Sequence, residues 1–183
     1  GSFHSVSHHD PVYRAFALTA LREAGPQVYA YCSGCHTPAG VVSGLVPKLH
    51  EDELPEMAKA GVTCDVCHQV SALTGTTGPW GEPGNASIVL QPNPKLKRGP
   101  LGDIQANPNH GSEKHDFFQS SELCASCHTV IHPTTGVRIE HTYDEWKKSV
   151  YAEKGIQCQD CHMASVEEAV KVAETLTPIR RTG

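Results

Sequence analysis

Cys32 and Cys35, with His36 directly after them, form a Cys-x-x-Cys-His unit. The same unit recurs at Cys64, Cys67 and His68, at Cys124, Cys127 and His128, and at Cys158, Cys161 and His162. These four units use all eight cysteines of the 183-residue chain. Paired cysteines serve three chemistries. A structural zinc site takes four Cys or His ligands, but nothing in it requires a histidine after each pair. A thiol–disulfide motif is expected once, inside a βαβ pattern. A trailing histidine at every pair is the signature of covalent c-type haem attachment. The spacing suits that chemistry. Two thioether bonds join the sulfurs to the two vinyl groups of one porphyrin, and the next residue folds over the ring face to bind iron. Cys32, Cys35, Cys64, Cys67, Cys124, Cys127, Cys158 and Cys161 are therefore read as cofactor anchors. His36, His68, His128 and His162 are read as proximal metal ligands, so four haem c groups are expected.

Twelve histidines are present, and eight lie outside the four units. That surplus favours two imidazoles per iron. Such iron has no open position for substrate, so the chemistry expected of it is electron transfer, at lower potential than with an axial methionine. His8, His9, His115 and His132 are the expected second ligands. His50, His110 and His141 are second choices, and His4 is read as a surface residue or as part of an arm reaching another molecule. Met163 follows a proximal histidine and cannot cross its own haem, and Met57 is read as a packing residue. No separate catalytic constellation is visible.

Four elements should position these groups. A helix from Pro11, capped by Asp10, carries Tyr13, Phe16, Ala17, Ala20, Leu21 and Ala24 on one face and stops at Gly25-Pro26. A short turn covers Glu53 to Ala60 and ends at Gly61. A third helix begins at Thr142 with Glu145 as a capping box. It turns Tyr143, Trp146 and Val150 inward, against the fourth haem, and ends at Gly155. A fourth begins at Ser165 with Glu168 as a capping box, carries Val166, Ala169, Val170, Ala173 and Leu176, and ends at Pro178. The expected fold is mostly irregular with short α-helices and little or no β-sheet, organised by the haems as one tetrahaem domain over residues 1–183.

Composition agrees with a haem-organised interior. Aromatic residues make up 6% and hydrophobic residues 38% of the chain, lean for a self-sufficient core, and large apolar cofactors would supply the missing buried area. The formal charge is −5. An acidic surface argues against nucleic acid as a partner. No apolar run is long enough to span a membrane. Haem is attached to such motifs after export, so a removed export signal is expected.

The units also repeat in pairs. Cys32 and Cys64 are 32 residues apart, Cys124 and Cys158 are 34 apart, and 60 residues separate Cys64 from Cys124. "CSGCHT" matches "CASCHT", "AGVTCDVCH" matches "KGIQCQDCH", and "HHDPVY" echoes "KHDFF". This reads as two diverged dihaem units, 1–74 and 113–183, the latter with the C-terminal helix. A Gly- and Pro-rich insertion at 75–112 joins them and is expected to be loop. It contains one glycosylation sequon, Asn85-Ala86-Ser87.

The stretches "SSELCASCHTVIHPTTG" and "HTYDEWKKSVYAEKGIQCQDCHM", with "SHHDPVYRA" and "GVTCDVCHQV", resemble the multihaem cytochromes related to the electron acceptor of hydroxylamine oxidoreductase. Within that group the chain most resembles the tetrahaem subunits of extracellular cytochrome filaments. The resemblance covers roughly residues 3 to 163. It implies bis-histidine haems in alternating parallel and T-shaped stacks, and a homopolymer in which one distal histidine comes from the adjacent subunit. Relatives often continue past a stretch like "TPIRRTG" to a further histidine-containing segment, which this chain, ending at Gly183, does not show.

The function expected is electron transfer to redox proteins or extracellular acceptors, from an extracellular or cell-surface filament. A soluble periplasmic shuttle, or a domain of a larger multihaem protein, is the alternative. A reductase would need a five-coordinate haem.

Overall fold

A computed structural model describes residues 2–75, 83–105 and 107–175. The chain opens with a 3₁₀ helix, Phe3–His9. Helix α1, Pro11–Ala24, follows with the expected start, since Asp10 accepts a 2.7 Å hydrogen bond from the Tyr13 N–H and Pro11 takes the first helical position. Gly25, at φ +90°, ends it by donating to Ala20 O and Leu21 O. Pro26 then begins a second helix that the sequence reading did not anticipate, α2, Pro26–His36. Gly25-Pro26 is thus a corner as well as a stop.

Helix α3 (Pro38–Val42), a 3₁₀ turn (Glu51–Glu53) and α4 (Glu56–Lys59) lead to α5 (Cys64–His68). Strand β1 (Val70–Leu73) pairs antiparallel with β2 (Ile88–Leu90). Strand β3 (Leu96–Gly99) pairs parallel with β4 (Gly111–Lys114). A 3₁₀ turn, Asp116–Gln119, and α6, Ser121–Ala125, come next. Strand β5 (Val130–Ile131) then pairs antiparallel with β6 (Arg138–Glu140). Helices α7 (Thr142–Lys147), α8 (Val150–Glu153), α9 (Cys158–His162) and α10 (Val166–Glu174) complete the described chain. Short helices dominate and the sheets are small two-stranded ribbons, in line with the expected class. The described part of the 75–112 insertion is more ordered than expected, because β2, β3 and the first residues of β4 lie within it.

One hydrophobic cluster joins Tyr13, Ala17, Tyr29, Val46, Leu54 and Ala58. It lies entirely in the first third of the chain. Phe16, expected on the inner face of α1, is 71% exposed, and Met57, expected to pack, is 79% exposed. The third predicted helix is two helices, α7 and α8, broken at Lys148-Ser149. His141 rather than Thr142 stands at the N-cap, and Glu145 pairs with His141 Nδ1 at 3.2 Å, so the expected capping box is replaced by an ion-pair partner one turn on. The box at Ser165 and Glu168 does form. The α10 stripe, however, buries none of its residues in the chain, and Val166 is 82% exposed. Leu176 and Pro178 lie outside the described residues.

Candidate haem sites

Each Cys-x-x-Cys-His unit sits on or directly after a helical turn. In a helix, residues i, i+3 and i+4 share a face, so both sulfurs and the imidazole of a unit point to one side. Helices α5 and α9 consist of nothing but the unit. The first starts where Thr63 accepts from the Val66 N–H at 3.2 Å, the second where Asp160 accepts from the Gln157 N–H at 2.8 Å. The unit at Cys32 is the last turn of α2, and Cys124 closes onto His128 by a 2.8 Å backbone bond from the His128 N–H.

Two of the four unit imidazoles set Nδ1 against a backbone carbonyl. His36 Nδ1 is 3.1 Å from Ser7 O, and His68 Nδ1 hydrogen-bonds Arg98 O. A carbonyl only accepts, so each Nδ1 carries the proton and Nε2 keeps its lone pair for a metal, the usual outer arrangement behind a metal-bound histidine. His36 is held further by Tyr13, whose ring lies flat on it at 3.9 Å, and His68 by Phe118 at 5.8 Å. His162 is exposed at the end of α9.

All eight cysteines of the four units are free thiols. Burial raises Cys32 and Cys67 above the ordinary thiol value, and burial followed by Cys158 pushes Cys124 up to about 12. Cys35 is raised, first by its hydrogen bond to Cys127 and then by burial, while Cys127 is lowered by the same bond. Reactive thiols are depressed as a class. A zinc site must find its ligands in the protein, and among the described residues no group of three His, Cys, Asp or Glu is placed to hold a metal. A porphyrin brings four nitrogens of its own and asks the chain only for axial imidazoles.

One further side chain fits the cofactor. Arg98 is 8% exposed, its Nη2 donates to Gln91 Oε1 at 3.0 Å, and its Nε lies 3.2 Å from Glu113. Among the described residues its Nη1 has no partner. A buried guanidinium donor left over, on the residue whose carbonyl orients His68, suits a porphyrin propionate.

The units are brought together by contacts that sequence patterns do not reveal. Cys35 Sγ lies 3.9 Å from Cys127 O. Ser121 Oγ donates to Gln157 Oε1 at 2.8 Å and accepts from the Cys158 N–H at 2.9 Å, joining the third unit to the fourth. The tightest junction is Gly84-Asn85-Ala86. The Asn85 N–H reaches Thr129 O at 2.9 Å and the Ala86 N–H reaches Ser126 O at 2.7 Å. The Asn85 side chain accepts from Tyr31 OH and from the Ile131 N–H, both at 2.7 Å, and donates to Ile131 O at 3.0 Å. A Cβ at Gly84 would meet Thr129 O at 2.6 Å, so only glycine fits there. The sequon asparagine is therefore an internal clasp between the first and third units.

The second-ligand candidates separate by what their ring nitrogens do. His9 is exposed on a cleft of about 340 Å³ lined also by Arg14, Glu51, Asp52 and Lys59. His8 is 1% exposed and packs against Tyr13 and His9, its Nε2 is 3.9 Å from Glu51 Oε1, and among the described residues neither ring nitrogen is hydrogen-bonded. Burial holds its pKa below the ordinary value. His115 Nδ1 accepts from the Phe117 N–H at 3.3 Å, and His132 Nδ1 accepts from the Thr134 and Thr135 N–H groups at 3.2 Å. An accepting Nδ1 places the proton of the neutral ring on Nε2. His141 is posed the other way, with Nδ1 3.2 Å from the Glu145 carboxylate and, among the described residues, no hydrogen bond at Nε2. His110 Nε2 faces Asn107 at 3.3 Å, and His50 is exposed. His4 ends 6.1 Å from His128, centre to centre.

Tyr143 is buried and stacks on Trp146 at 5.3 Å, and Trp146 Nε1 donates to Ile156 O at 2.9 Å, just ahead of the fourth unit.

No protein-family model and no curated protein matches the chain. The fold is similar to that of a penta-haem cytochrome c552 from Thermochromatium tepidum, with a TM-score of 0.61 and 21% sequence identity over 89% of this chain and 49% of that one. The chain thus spans about half the length of that cytochrome, and its fold is that of a small multihaem cytochrome.

Proposed function

We propose that the chain is an electron-transfer cytochrome carrying four covalent c-type haems. The observation that carries this is the coincidence of four Cys-x-x-Cys-His units, each on or after a helical turn, with proximal imidazoles whose Nδ1 protons are already committed to carbonyls at His36 and His68. Bound haem would supply one-electron iron chemistry. The chain's residues anchor it through the eight cysteines, orient His36, His68, His128 and His162, and hold the units against one another through Asn85 and Ser121. Mass measurement of the denatured protein tests the count. Four covalent haems are expected, and a mass lacking them would overturn the reading.

The finer reading is a subunit of an extracellular filament that shares histidine ligands between copies. The resemblance supports it, as do large apolar side chains left exposed, among them Phe3 at 93% and Val166 at 82%. Electron micrographs of the purified protein test it, and monodisperse single subunits at all concentrations would remove it. A second reading, a periplasmic carrier or one portion of a larger multihaem protein, is favoured by the chain's spanning about half of the penta-haem cytochrome. Native mass measurement on protein from its own source separates the two.

A further inference from the structure

The geometry points to His4 as the second axial ligand of the iron held by His128, supplied from the same chain. The inference rests on the haem reading of Cys124, Cys127 and His128. An imidazole nitrogen sits about 2 Å from a first-row metal, and the ring centre lies about 1 Å behind that nitrogen. Two imidazoles on opposite sides of one iron therefore have centres about 6 Å apart. The His4 and His128 rings are 6.1 Å apart with planes at 89°. An edge-to-face ring contact falls in the same range, but burial ordinarily drives such contacts. Both of these rings are exposed, and among the described residues neither takes part in a hydrogen bond. Two polar, solvent-accessible imidazoles have little reason to face each other unless something lies between them.

The arm is built to hold this position. His4 O accepts from the Val62 N–H at 2.8 Å. A Cβ at Gly61 would meet His4 O and Ser7 Oγ at 2.8 Å, and Gly61 sits at φ +69°, so glycine is required for the arm to lie this close. Three residues on, the Ser7 hydroxyl donates to His36 O at 3.0 Å, and its carbonyl receives His36 Nδ1. The 3₁₀ helix Phe3–His9 is thus pinned at both ends, and the His4 side chain is left facing the third unit. The sequence reading made His4 a surface or intermolecular residue. Here it serves its own chain.

The test uses the complete haem-loaded protein and the variants His4→Ala and His4→Met. The His4 backbone anchor does not involve the side chain, so both variants keep it. Electron paramagnetic resonance of His4→Ala should show one haem equivalent converted from low to high spin, restored by added imidazole. His4→Met should stay low-spin and raise one reduction potential, as axial methionine does. Wholly low-spin spectra in His4→Ala, or a low-spin fraction in the native protein that falls on dilution, would overturn the assignment. Loss of haem from Cys124 and Cys127 in the unaltered protein would instead remove the haem reading beneath it.

Discussion

The His36 imidazole and the Tyr13 phenol lie face to face, 3.9 Å between centres and 3° between planes. Tyr13 is itself fixed, because its hydroxyl sits 3.1 Å from Ser33 Oγ in the hydrophobic cluster. The imidazole of the first unit is thus aligned by a side chain from another helix. Tyr13→Phe keeps the ring and loses the hydroxyl contact. It should cost about 1 kcal/mol in denaturant unfolding and leave the haem spectra unchanged. Tyr13→Leu removes the stack, and the low-spin resonance signal of one haem should broaden or move. An unchanged signal in the leucine variant would show that the Ser7 carbonyl alone sets the ring.

Arg98 offers a second handle. Its carbonyl holds His68, while its guanidinium has a free buried donor. Arg98→Gln preserves the former and deletes one positive charge near the second unit. One reduction potential should fall by on the order of 50 mV, the scale of a single charge in a partly screened interior. Potentiometric titration measures it. A potential that stays put while stability drops would assign the guanidinium to Gln91 and Glu113 alone.

His132 and His141 use Nδ1 in opposite senses, the first accepting from two backbone N–H groups and the second facing a carboxylate. Asparagine can copy the accepting role, so His132→Asn should retain the turn and every low-spin haem. His141→Asn should convert one haem to high spin. The reverse pair of spectra would restore His132 as the ligand.

The Asn85 clasp joins Tyr31 to Ile131 across 100 residues of chain. Asn85→Ala leaves the Ile131 N–H without its partner and should cost about 2–4 kcal/mol. Haem content should be unchanged, as read by mass and by thermal unfolding. A cost near zero would mean that the backbone bonds of Asn85 and Ala86 suffice.

Glu168 caps α10 through Ser165, and that bond holds its carboxyl below the ordinary carboxylate value. A depressed carboxylate stabilises the helix above its unfolded pKa, and the contribution is lost as pH falls through the folded value. Helicity from α10 should therefore decline below about pH 4.5. In Ser165→Ala the pH-dependent part of that decline should shrink, as circular dichroism can follow.

Much of the local chemistry was legible in the sequence. The Cys-x-x-Cys-His turns, the Asp10-Pro11 start of α1 and the Ser165-Glu168 box depend on residues within a few positions of each other, and short-range rules reach them. The clasp does not, because Asn85 meets partners 54 and 46 residues away. The role of His4 was hidden for the same reason, since it depends on an arm folding back to Val62. Phe16 was misplaced because a periodic stripe on α1 is wider than the surface α2 covers. The sequence marks an apolar side without saying how much of it the chain itself will bury.

Cys35 and Cys127 meet where the first and third units touch, with both thiols half-buried. On the haem reading both sulfurs must first have met vinyl groups in the grip of an attachment enzyme. A thioether sulfur carries no proton, so on that reading attachment removes the Cys35 donor from its bond to Cys127 O and leaves only the packing of the two segments to hold the contact.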